Sequence, residues 1–261
     1  MTFIQAILLG IIQGITEFLP ISSSGHLVLF QKIFGVAEPS LTFGIVVHLG
    51  TLAAVFAVFW KDIASILRRP FQRLTLLLIA GTIPTAIIGV AFKDFFEKVF
   101  ASGNTLGFEF FITGLVLYFA DSLRKGYKDA EETSLLDAAF VGLMQGAAIL
   151  PAVSRSGLTI SGALFRHMDR DFAARFSFLL SIPAILGAAV FDMKDVLEAG
   201  VGNLDSMSLG AGFIFAVIFG YISIRYMLNV LKKGKMRYFS YYVFALGALI
   251  LIDQYLTHIF F

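Results

Sequence analysis

The sequence predicts an all-α fold that crosses a lipid bilayer several times, on the basis of its composition, its apolar runs and an internal repeat. Hydrophobic types make up 58% of the 261 residues and charged types only 15%, whereas a soluble domain carries about 25% charged residues. Apolar runs of about 20 residues recur, and a helix of that length crosses the hydrocarbon core. We therefore expect one membrane domain, residues 1–261, with six transmembrane helices and two re-entrant helical hairpins.

Six uninterrupted apolar runs are each long enough to cross a bilayer as a helix. Each contains close to the ~20 residues that a helical span needs, and charged or turn-forming residues separate successive runs. We predict spans at residues 41–60, 74–92, 107–123, 172–191, 207–227 and 239–258.

Two further apolar segments, residues 3–34 and 135–166, are interrupted near their middle by polar clusters. The first break, residues 20–26, contains a proline, three serines, a glycine and a histidine, and the second, residues 151–157, contains a proline, two serines, an arginine and a glycine. Non-helical backbone at membrane depth persists only inside protein or beside water. We therefore predict that both segments are re-entrant hairpins.

The two halves of the chain are related by an internal repeat with an offset of 132 residues, which aligns Gln13 with Gln145. We assign repeat 1 to residues 1–125, a charged linker to 124–134 and repeat 2 to 135–261. Each half contains one hairpin and three spans, and because three is odd the halves must be inverted in the membrane. Paired interrupted helices in such repeats bind ligands near the bilayer midplane. Other matched pairs are Gly10 and Gly142, Gly14 and Gly146, Ser22 and Ser154, Ser24 and Ser156, and Gly25 and Gly157.

The basic residues lie mostly on one of the two faces that this topology defines. By the positive-inside rule, the face with the excess of Lys and Arg is cytoplasmic. We expect a multi-pass protein of the cell (inner) membrane, with both termini and the mouth of the site on the outer, periplasmic face. The predicted outer face has Lys32, Lys93, Lys98 and Lys194, and the predicted cytoplasmic face has Lys61, Arg68, Arg69, Arg73, Arg124, Lys125, Lys128, Arg166, Arg170, Arg175, Arg225, Lys232, Lys233, Lys235 and Arg237.

Composition also narrows the classes of partner and chemistry. The net charge of +2 is too small to suggest nucleic-acid binding, and the absence of cysteine excludes disulfides and thiolate chemistry. Residues 1–31 contain no Lys or Arg, whereas a secretory signal begins with a basic segment, so we expect the first apolar stretch to be mature structure. The expected partners are membrane lipids, and a homodimer is left open.

The first break brings an acid, hydroxyls and a histidine together in an apolar setting. Glu17 lies four residues after Gln13, so both side chains share one helical face, and an ionisable group within a membrane usually faces a cavity or a partner. Hydroxyl and N–H groups near a helix start can bind an anion, and His26 can hold or transfer a proton near neutral pH. The structural alternative is that Glu17 is a hydrogen-bond partner and the serines are helix caps. The three serines of this break are Ser22, Ser23 and Ser24.

The second break supplies a cation. Arg155 lies between Ser154 and Ser156, and its planar guanidinium matches the oxygens of a phosphate. Thr159, four residues further on, can face the same side of a helix. An arginine at the centre of an apolar segment marks a functional site by default. An ion pair between Arg155 and Glu17 is the structural alternative, and it is compatible with function.

These residue types suit phosphoryl transfer on a lipid, in which positioning and charge stabilisation supply most of the rate. A serine hydroxyl or a histidine can attack phosphorus, or Glu17 or His26 can activate a water molecule. The sequence alone leaves the nucleophile open. We predict catalytic roles for Glu17, Ser23, His26 and Arg155, and substrate contacts from Gln13, Ser22, Ser24, Ser154, Ser156 and Thr159.

Both breaks resemble signatures of the undecaprenyl-diphosphatase, or bacitracin-resistance, family. Residues 13–26 resemble the first signature, in which a Glu or Gln, three residues and a Glu precede a Pro and a Ser-Ser-Ser/Thr-Gly-His run. Residues 151–159 resemble the second, a Pro-Gly-x-Ser-Arg-Ser-x-x-Thr pattern. The resemblance extends over the whole chain, because the length, the repeat and both breaks agree. This chain has Gln13 where many members have Glu, and Ala152 where the family usually has Gly.

The resemblance implies hydrolysis of undecaprenyl diphosphate to the monophosphate and phosphate, which recycles the lipid carrier for cell-wall polymers and gives resistance to bacitracin. It implies a site that opens to the outer face and is formed by Glu17, a serine of the first break, His26, Arg155 and Thr159. It also implies a divalent cation, Mg²⁺ or Ca²⁺, with Glu17 as base or metal ligand. The main alternative is a lipid-carrier transporter or flippase, because inverted repeats with broken helices are a transporter architecture.

Overall fold

The computed structural model describes residues 1–36, 41–123, 125–199 and 205–260. Within these ranges the regular structure is helical, and one isolated bridge between Lys128 and Met168 does not extend into a strand. The predicted all-α class is therefore confirmed for the described part of the chain.

In the described first half, two helices flank the first break, and three longer helices follow at the first three predicted spans. Two short helices between the longer ones were not predicted, because their charged residues were interpreted as loops. The helices are α1 (Phe3–Phe18), α2 (Ser23–Ile33), α3 (Leu41–Val58), α4 (Trp60–Arg68), α5 (Arg73–Ala91), α6 (Lys93–Ser102) and α7 (Leu106–Asp121).

The described second half follows the same order without the two short helices. The bounds of the helix after the second break lie 132 residues after those of α2, so the repeat seen in the sequence is also present in the helix boundaries. The helices are α8 (Leu135–Ala147), α9 (Arg155–Phe165), α10 (Arg170–Ala199), α11 (Ser206–Lys232) and α12 (Arg237–Ile252), which continues as a π-helical turn (Asp253–Thr257).

The first helix of each broken segment begins with a capping box. The Thr2 side chain accepts a hydrogen bond from the Gln5 backbone while the Gln5 side chain accepts one from the Thr2 backbone, and Ser134 and Asp137 do the same for α8. Each box satisfies two of the N–H groups that a helix start leaves free. The two caps occupy repeat-related positions, so both broken segments begin with the same local structure.

The linker between the halves is fastened to α8 through a buried acid. Asp137 accepts hydrogen bonds from Lys128 Nζ at 2.9 Å and from Arg166 Nε at 2.6 Å. Burial raises the pKa of Asp137, but Lys128, Arg166 and the Ser134 groups more than offset this and hold that pKa below its usual range. Asp137 is therefore a carboxylate that ties the linker and the end of α9 to the start of α8.

Five of the described helices are long and apolar enough to cross a membrane. The helix at the predicted span 107–123, α7, has 16 residues, fewer than the ~20 expected for a full crossing. Large apolar side chains point away from the protein, as at Val190, which is 73% exposed, and Ile87, which is 62% exposed. Apolar surface on this scale indicates a lipid-facing exterior, so the chain is a multi-pass membrane protein. The candidate spans are Leu41–Val58, Arg73–Ala91, Arg170–Phe191, Ser206–Lys232 and Arg237–Thr257.

The first helix of each broken segment packs on a long helix from the other half of the chain. α1 lies along α11, where a side chain at Gly10 would collide with the backbone of Gly212. α8 lies along α5, where a side chain at Gly142 would collide with the backbone of Gly81. Small residues at such points let helix backbones approach closely. Each broken segment is therefore held by the other half of the molecule.

Aromatic packing fixes the end of α1 next to the first break. The rings of Phe18 and Phe178 meet edge to face with their centroids 5.5 Å apart, an arrangement that aromatic pairs prefer. Both side chains are fully buried. Because Glu17 directly precedes Phe18, this packing holds the helix turn from which the Glu17 carboxylate projects.

Candidate functional site

The two breaks contact each other inside the protein through serine hydroxyls. Ser22 Oγ donates to the carbonyl oxygen of Pro151 at 3.1 Å, and Ser24 Oγ donates to the same oxygen. In the other direction, Ser156 Oγ donates to the carbonyl oxygen of Leu19 at 2.9 Å. Ser156 and Pro151 lie 132 residues after Ser24 and Leu19 respectively, so the two contacts are repeat-related copies of one another.

Glu17 is the centre of the polar cluster that the two breaks form. It is 7% exposed. Its Oε1 accepts a hydrogen bond from Arg155 Nη2 at 2.5 Å, and its Oε2 accepts from Ser23 Oγ at 2.5 Å and from Gln13 Nε2 at 2.9 Å. The contact between Glu17 and Arg155 that the sequence led us to expect is therefore observed. Ser23 and Arg155 are the first residues of α2 and α9, so repeat-related positions meet at one carboxylate.

His48 also reaches this cluster, although the sequence analysis gave it no role there. Its Nε2 lies 3.8 Å from Glu17 Oε2, and its Nδ1 donates to the carbonyl oxygen of Gly44 at 2.7 Å. A second proton on Nε2 would therefore form an ion pair with Glu17. The signal in the sequence was a titratable residue within an apolar span, but the sequence did not reveal which helix α3 would face.

His26 lies behind the first break rather than at the open part of the cluster. It is 2% exposed, its Nδ1 donates to the Ser22 carbonyl oxygen at 2.6 Å, and its Nε2 accepts from the Tyr242 hydroxyl at 2.8 Å. Its ring stacks on Tyr242 and meets the edge of Phe110. Both ring nitrogens are engaged, so this geometry favours an anchoring role over nucleophilic attack. The sequence pattern indicated a membrane-interface position for Tyr242 and did not predict this contact.

The second break is held by two side chains of α7 that the sequence analysis also missed. Glu109 is 3% exposed, and its Oε2 accepts from the Ala152 backbone N–H at 2.6 Å. Thr113 Oγ1 accepts from the Ser154 N–H at 3.0 Å and donates to the Ala152 carbonyl oxygen at 3.3 Å. These bonds satisfy backbone groups that the break would otherwise leave unpaired. An acid inside a predicted span was the available signal for Glu109.

Two serines of the breaks cap the helices that follow. Ser22 Oγ accepts from the Gly25 N–H at 3.3 Å, and Ser154 Oγ accepts from the Gly157 N–H at 3.0 Å. The caps differ in backbone conformation, because Ser22 has a φ of 68° whereas Ser154 has a φ of −71°. The first break therefore contains a non-glycine residue in the left-handed region, and the second does not.

Several of the side chains predicted to contact substrate make hydrogen bonds within the protein. Thr159 is fully buried, and its hydroxyl donates to the Arg155 carbonyl oxygen at 2.8 Å and meets Ser177 Oγ at 2.6 Å. Ser154 and Ser156 are each 1% exposed. Together with Ser22 and Ser24, which bind Pro151, these hydroxyls shape the two breaks. Ser23 is the hydroxyl of this set that contacts Glu17.

Two buried polar atoms of the cluster have no hydrogen-bond partner in the described structure. They are Nη1 of Arg155 and Oε1 of Gln13. Buried polar groups are nearly always satisfied, and an unpaired group is costly. The free Arg155 nitrogen is a donor and suits an anion, whereas the free Gln13 oxygen is an acceptor and suits a cation.

The cluster has few groups that could hold a metal ion by themselves. Among the described residues no group of three or more His, Asp or Glu side chains converges, and Glu17 is the carboxylate of the cluster. Mg²⁺ is commonly held by one or two carboxylates together with substrate phosphates, whereas Ca²⁺ takes about 6–8 oxygen ligands. The Glu17 carboxylate and the free Gln13 Oε1 therefore fit Mg²⁺ shared with a phosphate ligand better than Ca²⁺.

Comparison with known proteins gives consistent matches over nearly the full length. The family model described as "Bacitracin resistance protein BacA" matches residues 6–249. A protein named "Undecaprenyl-diphosphatase" from Carboxydothermus hydrogenoformans is 57% identical over 256 residues, which cover 97% of this chain and 98% of the relative. "Undecaprenyl-diphosphatase 4" from Bacillus thuringiensis strain Al Hakam is 46% identical over 260 residues and covers 100% of both chains. "Undecaprenyl-diphosphatase" from Halothermothrix orenii is 45% identical over 254 residues, 97% of this chain and 98% of the relative.

Proposed function

The chain belongs to the bacitracin resistance protein BacA family, and on that premise we propose that it hydrolyses undecaprenyl diphosphate to undecaprenyl monophosphate and phosphate. Relatives named undecaprenyl-diphosphatase align with almost all of its residues. The reaction recycles the lipid carrier for cell-wall polymer synthesis and gives bacitracin resistance. A lipid substrate also accounts for a phosphatase site buried among apolar helices.

The observation that carries the proposal is the free edge of the Arg155 guanidinium. Nη2 is bound to Glu17, whereas Nη1 is buried and has no partner in the described structure. A guanidinium oriented by a carboxylate on one edge can give its other edge to a phosphate oxygen. The Ser23 hydroxyl lies against the same carboxylate at 2.5 Å. The proposed anion-binding group, Arg155, and the proposed nucleophile, Ser23, therefore both contact the proposed base, Glu17.

In the proposed first step, Ser23 attacks the terminal phosphorus. Glu17 accepts the hydroxyl proton as the bond between Ser23 Oγ and phosphorus forms. The bond from that phosphorus to the bridging oxygen breaks, and undecaprenyl monophosphate leaves with this oxygen and with the proton that Glu17 passes to it. Arg155 stabilises the negative charge on the oxygens of the transferred group.

In the proposed second step, water releases the phosphate. Glu17 takes a proton from a water molecule while the water oxygen attacks the phosphorus of the phosphoserine. The bond between phosphorus and Ser23 Oγ then breaks. Glu17 then returns the proton to Ser23 Oγ. A shared Mg²⁺, held by Glu17 and Gln13, would supply charge neutralisation to the diphosphate when bound.

The membrane arrangement that we propose has six spans, with α7 as the short one, and two re-entrant hairpins formed by α1–α2 and α8–α9. Repeat-related helix bounds, reciprocal glycine contacts and reciprocal serine contacts support two halves that are inverted relative to one another. The basic residues at the ends of the long helices support a cytoplasmic face opposite both termini and the site. Of those basic residues, Arg124 lies outside the described part of the chain. The homodimer stays a prediction.

Phosphate release from undecaprenyl diphosphate by the purified full-length protein in detergent tests the activity. We expect wild-type turnover, a loss of about 10²–10⁴-fold in Glu17→Gln through removal of the base, and slower turnover in chelator if Mg²⁺ takes part. Acid quenching with substrate labelled in the terminal phosphate should trap label on Ser23, and Ser23→Ala should trap none. Wild-type turnover in Ser23→Ala would instead assign the attack to water.

A carrier function is the second candidate, and one observation favours it. Two broken helices that meet through reciprocal contacts are a feature of transporters with inverted repeats. The same detergent assay separates the two functions, because it has no membrane gradient. Bound substrate without phosphate release, together with lipid transfer between leaflets in liposomes, would support the carrier over the phosphatase.

A further inference from the structure

A polar cavity lies between the end of α7 and the turn that joins α11 to α12, and none of its lining residues belongs to the cluster at the breaks. Its volume is about 400 Å³. The start of α10 lies behind its wall, at Gly234. Side chains that line it include Asp121, Lys233, Lys235, Arg237, Tyr238 and Tyr241.

The charge in this cavity is predominantly positive. Lys233, Lys235 and Arg237 line it, and Asp121 is the one acid among its described lining residues. The Arg170 guanidinium lies directly behind Gly234 in the wall, because a side chain at that glycine would collide with Arg170 Nη1. Four cations therefore surround one carboxylate.

Asp121 does not form a hydrogen bond with Arg170 or with Arg237. Its Oδ1 accepts from the Met236 backbone N–H at 3.1 Å. Its carboxylate oxygens lie 3.9 Å from Arg170 Nη1 and from Arg237 Nε, beyond hydrogen-bonding distance. Both of these guanidinium nitrogens are buried and have no hydrogen-bond partner in the described structure. An unpaired charged donor inside protein is costly, so Asp121 leaves much of the positive charge beside the cavity without a hydrogen-bonded partner.

The rest of the cavity wall also suits an anion at a membrane surface. α12 begins at Arg237, which lines the cavity, and its cap residue Met236 contributes no side-chain hydrogen bond, so the positive end of the helix dipole lies beside the cavity. Tyr238 is 67% exposed and Tyr241 is 53% exposed. Tyrosine rings are enriched at the boundary between lipid and water.

We propose that this cavity binds the phosphate group of an anionic phospholipid from the adjoining leaflet. The Arg237 guanidinium binds its oxygens in charge-assisted hydrogen bonds, Arg170 adds positive charge from behind Gly234, and Lys233 and Lys235 add charge at the rim. The tyrosines contact the glycerol and the upper acyl chains. Basic pockets between transmembrane helices are a known mode of headgroup recognition. The site is separate from the proposed phosphatase chemistry and stands without it.

Phospholipid binding to the delipidated full-length protein tests the proposal, with phosphatidylglycerol, phosphatidylcholine and inorganic phosphate as the three probes. We expect native mass spectrometry to show saturable phosphatidylglycerol binding at least about tenfold tighter than phosphatidylcholine binding. Arg237→Gln should weaken phosphatidylglycerol binding about tenfold. The matched control Arg68→Gln, which removes an exposed arginine of α4 outside the cavity, should leave it unchanged.

A second variant and a folding measurement distinguish a loss of lipid binding from misfolding. Lys233→Gln with Lys235→Gln removes two exposed rim charges, and the melting temperature in detergent reports whether each variant is folded. Unchanged phosphatidylglycerol affinity in both the arginine and the lysine variants would overturn the proposal. Binding of inorganic phosphate without binding of phosphatidylglycerol would identify a free phosphate site and overturn it as well.

Discussion

The two broken segments of this protein share a scaffold but differ in chemistry. Each begins with a capping box, packs on a long helix from the other half, and donates a serine hydroxyl to the other break. The groups that the proposed reaction needs occupy repeat-related positions where the two segments differ, namely Glu17 against Ile149 and Ser23 against Arg155. The anchoring residue His26 likewise differs from its counterpart, Leu158. The duplicated helices thus hold both breaks in similar positions, and the different residue types at a few repeat-related positions form the site.

The two breaks are also anchored differently. An acid and a threonine of α7, Glu109 and Thr113, hold the second break through its backbone. The first is held through His26, which bonds to Tyr242 of α12. Phe110, the repeat-related counterpart of Tyr242, contacts the same histidine ring. The first break is therefore held by one ring from α7 and one hydroxyl from α12, whereas the second is held by two polar side chains of α7.

Among the changes that compare how the two breaks are built, removing the cation of the second break should have the largest effect. We expect Arg155→Ala to lower kcat by about 10²–10³-fold, the loss typical of one preorganised charge-stabilising donor. Phosphate release measures it, and Arg68→Ala is the matched control because that arginine is exposed and distant from the breaks in sequence. Activity near wild type would mean that the two segments do not divide the chemistry as proposed.

Filling the repeat-related glycines should destabilise the protein by similar amounts. Gly10→Ala and Gly142→Ala each push a methyl group into backbone, and we expect a cost of about 1–3 kcal/mol in each case. Thermal unfolding in detergent measures the change. Gly44→Ala is the control, since nothing lies within 4 Å of its added atom, and it should be neutral or stabilising by up to about 1 kcal/mol. Strongly unequal costs would argue against a shared frame.

Removing the acceptor that holds the second break should reduce both stability and turnover. Glu109→Leu leaves the Ala152 N–H unpaired, at a cost of about 1–3 kcal/mol, and lets Arg155 shift from Glu17. Glu109→Gln retains an oxygen that can accept this bond, so we expect it to recover most of the loss in melting temperature and kcat. If both variants lose activity equally, the charge of Glu109 matters and the anchoring interpretation is wrong.

Removing one hydroxyl behind the first break should have the smallest effect. Tyr242→Phe deletes the hydrogen bond to His26 Nε2 and keeps the stacked ring, so we expect a loss of about 0.5–1.5 kcal/mol in stability and nearly unchanged kcat. Melting temperature and phosphate release measure these changes. A loss of turnover as large as that in Arg155→Ala would place His26 in the chemistry instead of behind it.

The sequence predicted the parts of this structure that depend on local pattern. Apolar runs and polar breaks indicated the long helices and both broken segments, and the repeat indicated that the breaks would meet, as Glu17 and Arg155 do. The roles of His48, Glu109 and Tyr242 could not be predicted, because they depend on which helices become neighbours. The hydrogen bond between the Thr159 hydroxyl and Ser177 could not be predicted for the same reason, and a substrate contact by Thr159 stays a prediction.

The left-handed backbone of Ser22 stores conformational energy beside the proposed nucleophile. A residue with a side chain loses about 1–2 kcal/mol there relative to an ordinary conformation, and glycine would not. Ser154 has a negative φ and no such conformational cost. Glycine at position 22 should therefore remove a cost from the first break, whereas glycine at position 154 would only make the backbone of the second break more flexible. Whatever holds Ser22 in place therefore also sets the direction in which the next side chain, that of Ser23, leaves the main chain.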